Sequence, residues 1–153
     1  MRHLLSTPRF RQLFAASTLV LGLAACKDNT GPEEAEPEVV SMRITLTSGA
    51  TATVNASGTV TGTLTIPAGT ATGFTIEFLN AAGAPDPLVT AAEFRASVTP
   101  AKGITFTRTG NFAGTLRGDA AGTVSVRFGL LHIEENHDDF GPFPVSVSVT
   151  GAT

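Results

Sequence analysis

Residues 145–149 read Val-Ser-Val-Ser-Val, with a branched apolar side chain at every second position and a hydroxyl between. A repeat of two matches the pleat of a β-strand and no helix. The same device recurs along the chain. Met42, Ile44 and Leu46 alternate with Arg43, Thr45 and Thr47, and Phe74, Ile76 and Phe78 with Thr75 and Glu77. Residues 59–66, 104–107 and 124–128 repeat it. Threonine and valine suit such strands because a branched Cβ packs well on a pleated surface. One apolar face and one polar face predict antiparallel sheets, each wetted on its outer side.

Turn residues separate these runs. Pro67-Ala68-Gly69, the Gly/Pro stretch 82–87, Thr109-Gly110-Asn111 and the glycines at 118 and 122 come at short intervals. Seven or so short strands from Val39 to Thr153 predict a single immunoglobulin-like antiparallel β-sandwich, so the chain is read as all-β. A small barrel satisfies the same pattern. Residues 91–96 carry the one hint of a helical turn. The Thr/Gly-rich stretch 51–65 specifies register weakly and belongs near an edge.

The 153 residues allow one domain, and the first 25 do not belong to it. Arg2, Arg9 and Arg11 precede an apolar stretch over residues 13–25. That stretch is too short for a membrane span, which needs about 20 apolar residues. A basic start, a short apolar middle and small residues at the end predict a signal peptide over residues 1–25. Leu23-Ala24-Ala25-Cys26 resembles the lipobox of bacterial lipoproteins. The resemblance covers the leader and its cut site. It implies cleavage before Cys26, a diacylglycerol on the Cys26 thiol and an acylated new amino group, so that the protein holds to a membrane by two or three acyl chains. One chain alone binds only marginally. Lys27 stands where an Asp favours inner-membrane retention in that family, which implies an outer-membrane address in the cell envelope. The other reading is an ordinary secretory leader followed by a chance cysteine.

Residues 27–38 contain no large apolar side chain and are rich in Pro and Glu. With Cys26 they form the predicted tether, residues 26–38, which buries too little to offset its ordering entropy and is expected to be disordered. Its glutamates, Glu33, Glu34, Glu36 and Glu38, are read as a solvated spacer, with cation binding as the alternative. Past the leader, seven basic residues face all thirteen acidic ones. That balance argues against nucleic acid, which demands a clustered basic surface. With one cysteine no disulfide framework exists, so the domain over 39–153 must hold by its core.

One polar cluster stands out, at residues 131–140: Leu-His-Ile-Glu-Glu-Asn-His-Asp-Asp-Phe. It lies between two strand patterns and is predicted to be the connection of the last hairpin. His132, Glu134, His137, Asp138 and Asp139 are candidate ligands for a divalent metal such as Zn²⁺, Mn²⁺ or Cu²⁺, or through oxygens alone for Ca²⁺. In an extended chain His132 and Glu134 share a side. The spacing is not that of a helical His-Glu-x-x-His zinc motif, whose histidines stand four apart, nor of an EF-hand. The alternative is structural: His132 continues the parity of Phe128 and Leu130 toward the core, residues 136–139 form a solvated turn, and residues 140–144 return rigidly to the sheet. The stretch also resembles hairpin ends of uncharacterised bacterial lipoproteins, a resemblance that implies no activity.

Other motifs weigh less. Arg117-Gly118-Asp119 is an adhesion-type tripeptide in a predicted hairpin loop, but a chance match in a turn rich in Gly and Asp explains it far better. Asp86 sits between two prolines as a turn residue, and Glu77 points outward. No Gly-x-Ser-x-Gly elbow occurs and the single thiol is the lipidation candidate, so nucleophilic catalysis is not expected. Glu134 with Asp138 could form a glycosidase-type acid pair, but Trp and Tyr, the usual sugar platforms, are absent. The expectation is therefore a lipid-anchored envelope lipoprotein acting as a non-enzymatic binding or structural module toward another envelope component, with divalent-metal binding at the last hairpin as the alternative.

Overall fold

A computed structural model describes residues 35–151; the leader, Cys26 and the tether as far as Glu34 lie outside them. The described residues form ten strands and no helix. In chain order these are β1 (Ser41–Leu46), β2 (Thr51–Asn55), β3 (Val60–Gly62), β4 (Leu64–Pro67), β5 (Ala71–Leu79), β6 (Phe94–Pro100), β7 (Ile104–Gly110), β8 (Ala113–Gly118), β9 (Gly122–His132) and β10 (His137–Thr150). They build a six-stranded sheet, β3-β2-β1-β5-β8-β7, packed on a four-stranded sheet, β4-β10-β9-β6.

The expected immunoglobulin-like sandwich is recognisable in this order. In that fold strands A, B, E and D share one sheet and C, F and G the other. Here β5, β8 and β7 take the places of B, E and D, while β6, β9 and β10 take those of C, F and G. β4 corresponds to A, but it pairs with β10, Val147 facing Leu64, and it does so in parallel. That pairing departs from the all-antiparallel expectation. It leaves the flank of β5 free, and β1–β3 fill it.

The period-two pattern packs as its physics requires. Ile44, Leu46, Val54 and Leu116 from one sheet, and Leu64, Ile66, Phe128, Leu130 and Val147 from the other, are buried. Each such side chain contributes about 1.5–3 kcal/mol on burial. Phe74 and Phe128 join the sheets edge to face, with ring centroids 5.8 Å apart. On the outer face Arg43 donates to Glu77 from Nε at 2.9 Å and Nη2 at 2.7 Å, a half-exposed pair of modest worth.

Two local expectations need correction. Residues 59–66 alternate as one strand, yet they divide into β3 and β4, which belong to different sheets. The chain turns at Gly62, with φ +93° and a position where a Cβ would lie 2.3 Å from the Thr51 carbonyl oxygen. Only glycine fits there. Both pieces are edge strands, as the weak register of this stretch implied. The second correction is at residues 91–96. The helical hint holds only as far as residues 91–93: Phe94 N donates to the Thr90 carbonyl at 2.9 Å, closing one α-type turn, and Phe94 then opens β6. Pairing with β9, Phe94 opposite His132 and Ala96 opposite Leu130, overrides the local propensity.

The other edge of β6 is covered rather than open. Asn111 Nδ2 donates to the Ala91 carbonyl and at 3.3 Å to that of Phe94, the Asn111 carbonyl accepts from Ala96 N at 2.7 Å, and Arg108 Nη2 donates to the Ala96 carbonyl at 2.9 Å. Such capping removes a template for edge-to-edge association. Burial, and next the charge of Arg95, hold the Arg108 guanidinium below its usual range.

The tripeptide Arg117-Gly118-Asp119 straddles the end of a strand, and only Asp119 lies in the β8–β9 connection. Arg117 and Gly118 lie in β8, and Gly118 is buried against Val149.

Candidate functional site

The site grows out of the β9–β10 hairpin. Strand β9 ends at His132, and residues 133–136 form a tight connection closed by Asn136 N donating to the His132 carbonyl at 2.9 Å. This is one α-type turn, and Asn136 takes the left-handed conformation, φ 54°, that asparagine tolerates. His137 then opens β10 directly opposite His132. Cross-strand partners share a face, so the two imidazoles stand together, ring centroids 5.9 Å apart.

A bulge places the third group. The register shifts between Asp138 and Phe140: Asp138 faces Leu131, while Phe140, not Asp139, faces Leu130. In an unbroken ladder Asp139 would oppose the buried Leu130 and point into the core. The extra residue expels it to the rim and seats Phe140 in its place, 6% exposed.

The result is four groups on one rim. His137 Nδ1 lies 3.2 Å from Glu135 Oε2, and His137 Nε2 2.5 Å from Asp139 Oδ1. His132 Nδ1 lies 3.7 Å from Glu135 Oε2 and 3.8 Å from Asp139 Oδ2. One donor atom each from His132, Glu135 and His137 fall within 4.8 Å of one another. Donors around a tetrahedral Zn²⁺ at about 2.0–2.1 Å stand roughly 3.3 Å apart, so small side-chain rotations close the set on an ion. His137 is 55% exposed and His132 24%. The His132 ring stacks on Phe94 at 4.7 Å, which leaves its nitrogens facing the acids.

The sequence reading named His132, Glu134, His137, Asp138 and Asp139. The structure brings His132, His137 and Asp139 together and adds Glu135. Among the described residues neither Glu134 nor Asp138 pairs with a histidine. The reason is local geometry. Strand parity would set Glu134 beside His132, but the chain has already left the strand, and on an α-type turn the residue three ahead shares the side. Asn136 was the available signal, since asparagine in the left-handed region ends such turns.

His132 also obeys the structural alternative in part: it lies on the core-facing side, at its rim. No hydrogen bond fixes its ring to backbone among the described residues.

The hairpin belongs to a larger end of the sandwich. The turn 56–59, the loop 80–93, the short connection at Asn111-Phe112 and the hairpin tip lie at this end, tied by Ile133 N to the Glu93 carbonyl at 2.7 Å and Ile76 N to the Phe112 carbonyl at 2.8 Å. Three of them join strands in the places of B–C, D–E and F–G. Two further concavities lie among the described residues, the smaller of them at this same end. One of about 440 Å³ is lined by Thr45, Thr47, Phe74 and Thr115. The other, of about 150 Å³, holds Glu77 and Asp86. Glu77 is engaged by Arg43, and the buried Asp86 accepts from Glu38 N and Leu88 N, both at 2.9 Å.

No protein-family model matches the chain, and no curated protein matches it.

Proposed function

We propose that the protein is a lipid-anchored, non-enzymatic envelope lipoprotein whose loop-bearing end binds a divalent transition metal, with Zn²⁺ as the first candidate. The observation that carries this reading is the convergence of His132, Glu135 and His137, joined by Asp139, on one exposed rim. Two imidazoles and two carboxylates attract a cation without a preformed positive partner. Mixed N and O donors suit Zn²⁺, Mn²⁺ or Cu²⁺ better than Ca²⁺, which takes six to eight oxygens. The bulge at Asp139 favours the same reading, because it spends ladder pairing to keep a carboxylate beside the histidines.

The non-enzymatic part rests on the sequence, which has no Gly-x-Ser-x-Gly elbow and a single thiol at Cys26, and two concavities agree with it. One is lined by threonines and apolar groups, and the acids of the other are already engaged. The anchored part rests on Leu23-Ala24-Ala25-Cys26 and on the apolar stretch before it. Export is read from the same residues, and outer-membrane placement from Lys27.

Calorimetric titration of the Lys27–Thr153 chain with Zn²⁺, Mn²⁺ and Cu²⁺ tests the metal reading. One equivalent bound by the native protein, and lost in the His132→Ala/His137→Ala variant, is the expected result. Equal binding by both proteins, or none by either, sinks it. Mass spectrometry of the membrane-extracted protein checks the anchor: Cys26 should be the amino terminus and should carry acyl chains.

A further inference from the structure

An open sheet leaves a row of amide and carbonyl groups without ladder partners along each end strand. Four strands end the two sheets here: β3 and β7 on one, β4 and β6 on the other. Three of these edges are blunted. β3 has three residues, and β4 has four, the last of them Pro67. Along β6, Ala96 N is taken by the Asn111 carbonyl and the Ala96 carbonyl by Arg108 Nη2, while Pro100 has no N–H. β7 differs. It runs seven residues, Ile104–Gly110, without a proline, and no strand covers its far side among the described residues.

Two contacts fix which groups of β7 point outward. The Gly103 carbonyl accepts from Asp119 N at 3.0 Å, and the Thr107 carbonyl oxygen lies against Gly114 of β8, 2.9 Å from where a Cβ would stand. Alternate residues of an antiparallel strand turn their backbone groups to opposite sides. Thr105 and Thr107 therefore pair with Arg117 and Thr115 of β8, while Ile104, Phe106 and Arg108 turn theirs away. Ile104 N is used by the Ala101 carbonyl at 3.2 Å. The Ile104 carbonyl and both backbone groups of Phe106 and of Arg108 have no partner among the described residues.

This set is complementary to itself. About a two-fold axis at Phe106, each Phe106 N–H meets the Phe106 carbonyl of a second copy, and each Arg108 N–H meets the Ile104 carbonyl of that copy. The one ladder donor missing is the Ile104 amide, which stays in its own turn. The same register sets Thr105 opposite Thr107 of the second copy, twice, on the exposed outer face, and paired threonines are favourable cross-strand neighbours. Arg108 does not bar the edge. Its guanidinium is folded back over the Phe106 ring, 5.4 Å from the centroid, and onto Ala96 of β6. It falls opposite Ile104, so the two Arg108 positions stand four residues, about 13 Å, apart along the ladder.

We propose that β7 is a self-association edge, along which two copies of the protein pair antiparallel about Phe106 and join their six-stranded sheets into one. The contact is isologous and uses up both edges, so it closes at a dimer instead of growing into a fibre. A single pair of short edges buries less than the roughly 1,200 Å² of a standard interface, which places the dimer in the weak, reversible class. It is independent of the metal and anchor readings above.

The buried core lies entirely between Met42 and Val149, so the Lys27–Thr153 chain keeps the sandwich whole, and it contains no cysteine. Sedimentation equilibrium over rising concentration should show a reversible monomer–dimer equilibrium; a monomer at every concentration overturns the proposal. Register is read by disulfide formation. In a mixture of Thr105→Cys and Thr107→Cys chains the two thiols meet as a directly opposed pair, about 4.5 Å between Cα atoms and within disulfide reach. Either variant alone offers only diagonal thiols, about 7–8 Å apart. Covalent dimer should therefore form several-fold faster in the mixture, and equal rates overturn the pairing. Exposed Thr105 and Thr107 also accept charge without disturbing the core. Thr105→Glu/Thr107→Glu sets like charges opposite each other and should weaken the dimer about tenfold, whereas Thr105→Glu/Thr107→Lys sets opposite charges there and should restore it. A dimer indifferent to both variants uses another surface, and that result also overturns the proposal.

Discussion

Replacing His137 by alanine isolates the metal-binding role of the hairpin, because its side chain is more than half exposed and carries little of the core. His132 is a poorer probe, since its ring also packs on Phe94. Removing an outer-shell partner of a metal ligand typically costs 10–100-fold in affinity, so losing a direct donor should cost at least about 30-fold. A ligand that binds only the folded state stabilises it by RT ln(1 + [L]/Kd). At a zinc concentration 100 times the native Kd that is about 2.7 kcal/mol. After a 30-fold loss the same zinc concentration is only about three times Kd, and the stabilisation falls to roughly 0.9 kcal/mol. For a domain of this size 1 kcal/mol moves Tm by about 4 °C. Zinc should therefore raise the native Tm by about 11 °C and that of His137→Ala by about 3–4 °C, while the two metal-free proteins melt within about 2 °C of each other. Differential scanning calorimetry with and without chelator reads all four values. Glu135→Ala should behave like His137→Ala, and Glu134→Ala like the native protein. An unchanged zinc shift in His137→Ala, or a loss in Glu134→Ala equal to that in Glu135→Ala, refutes the assignment of donors.

Other consequences follow from the same geometry. Phe128→Ala removes a fully buried ring that bridges the sheets and should cost about 3–5 kcal/mol by urea denaturation. Gly118→Ala places a Cβ 2.6 Å from Val149 Cγ1 and should cost about 1–3 kcal/mol, showing that the Arg117-Gly118-Asp119 glycine serves packing. Asp86→Ala strands the Glu38 and Leu88 amides for about 1–3 kcal/mol, with faster hydrogen exchange at both, and Asp86→Asn should restore part of the protection.

Much of the architecture was legible because a strand writes its burial into alternate residues. Ile44, Phe74, Val126 and Val147 all face inward where period two places them. The last hairpin was legible too, since a polar run between two alternating segments has no core to join. Thr59–Ile66 shows the limit: its alternation is unbroken, yet Gly62 divides it between sheets, because a change of sheet depends on which backbone lies opposite, here the Thr51 carbonyl.

The site divides in the same way. By itself the sequence determined that two histidines and four acids crowd one connection, and that an apolar leader ends in a cysteine. Which acids join the histidines was decided only in three dimensions. Glu135 enters because one α-type turn replaces strand parity, and Asp139 because Leu130 already had Phe140 as its partner. The second choice avoids the cost of burying charge, and that cost exists only once the sheets have closed on a common core. The position of the cluster beside the entry of the chain is tertiary for the same reason. Ninety-four residues separate Glu38 from His132, and pairing of β1 with β5 and of β6 with β9 brings them to one end.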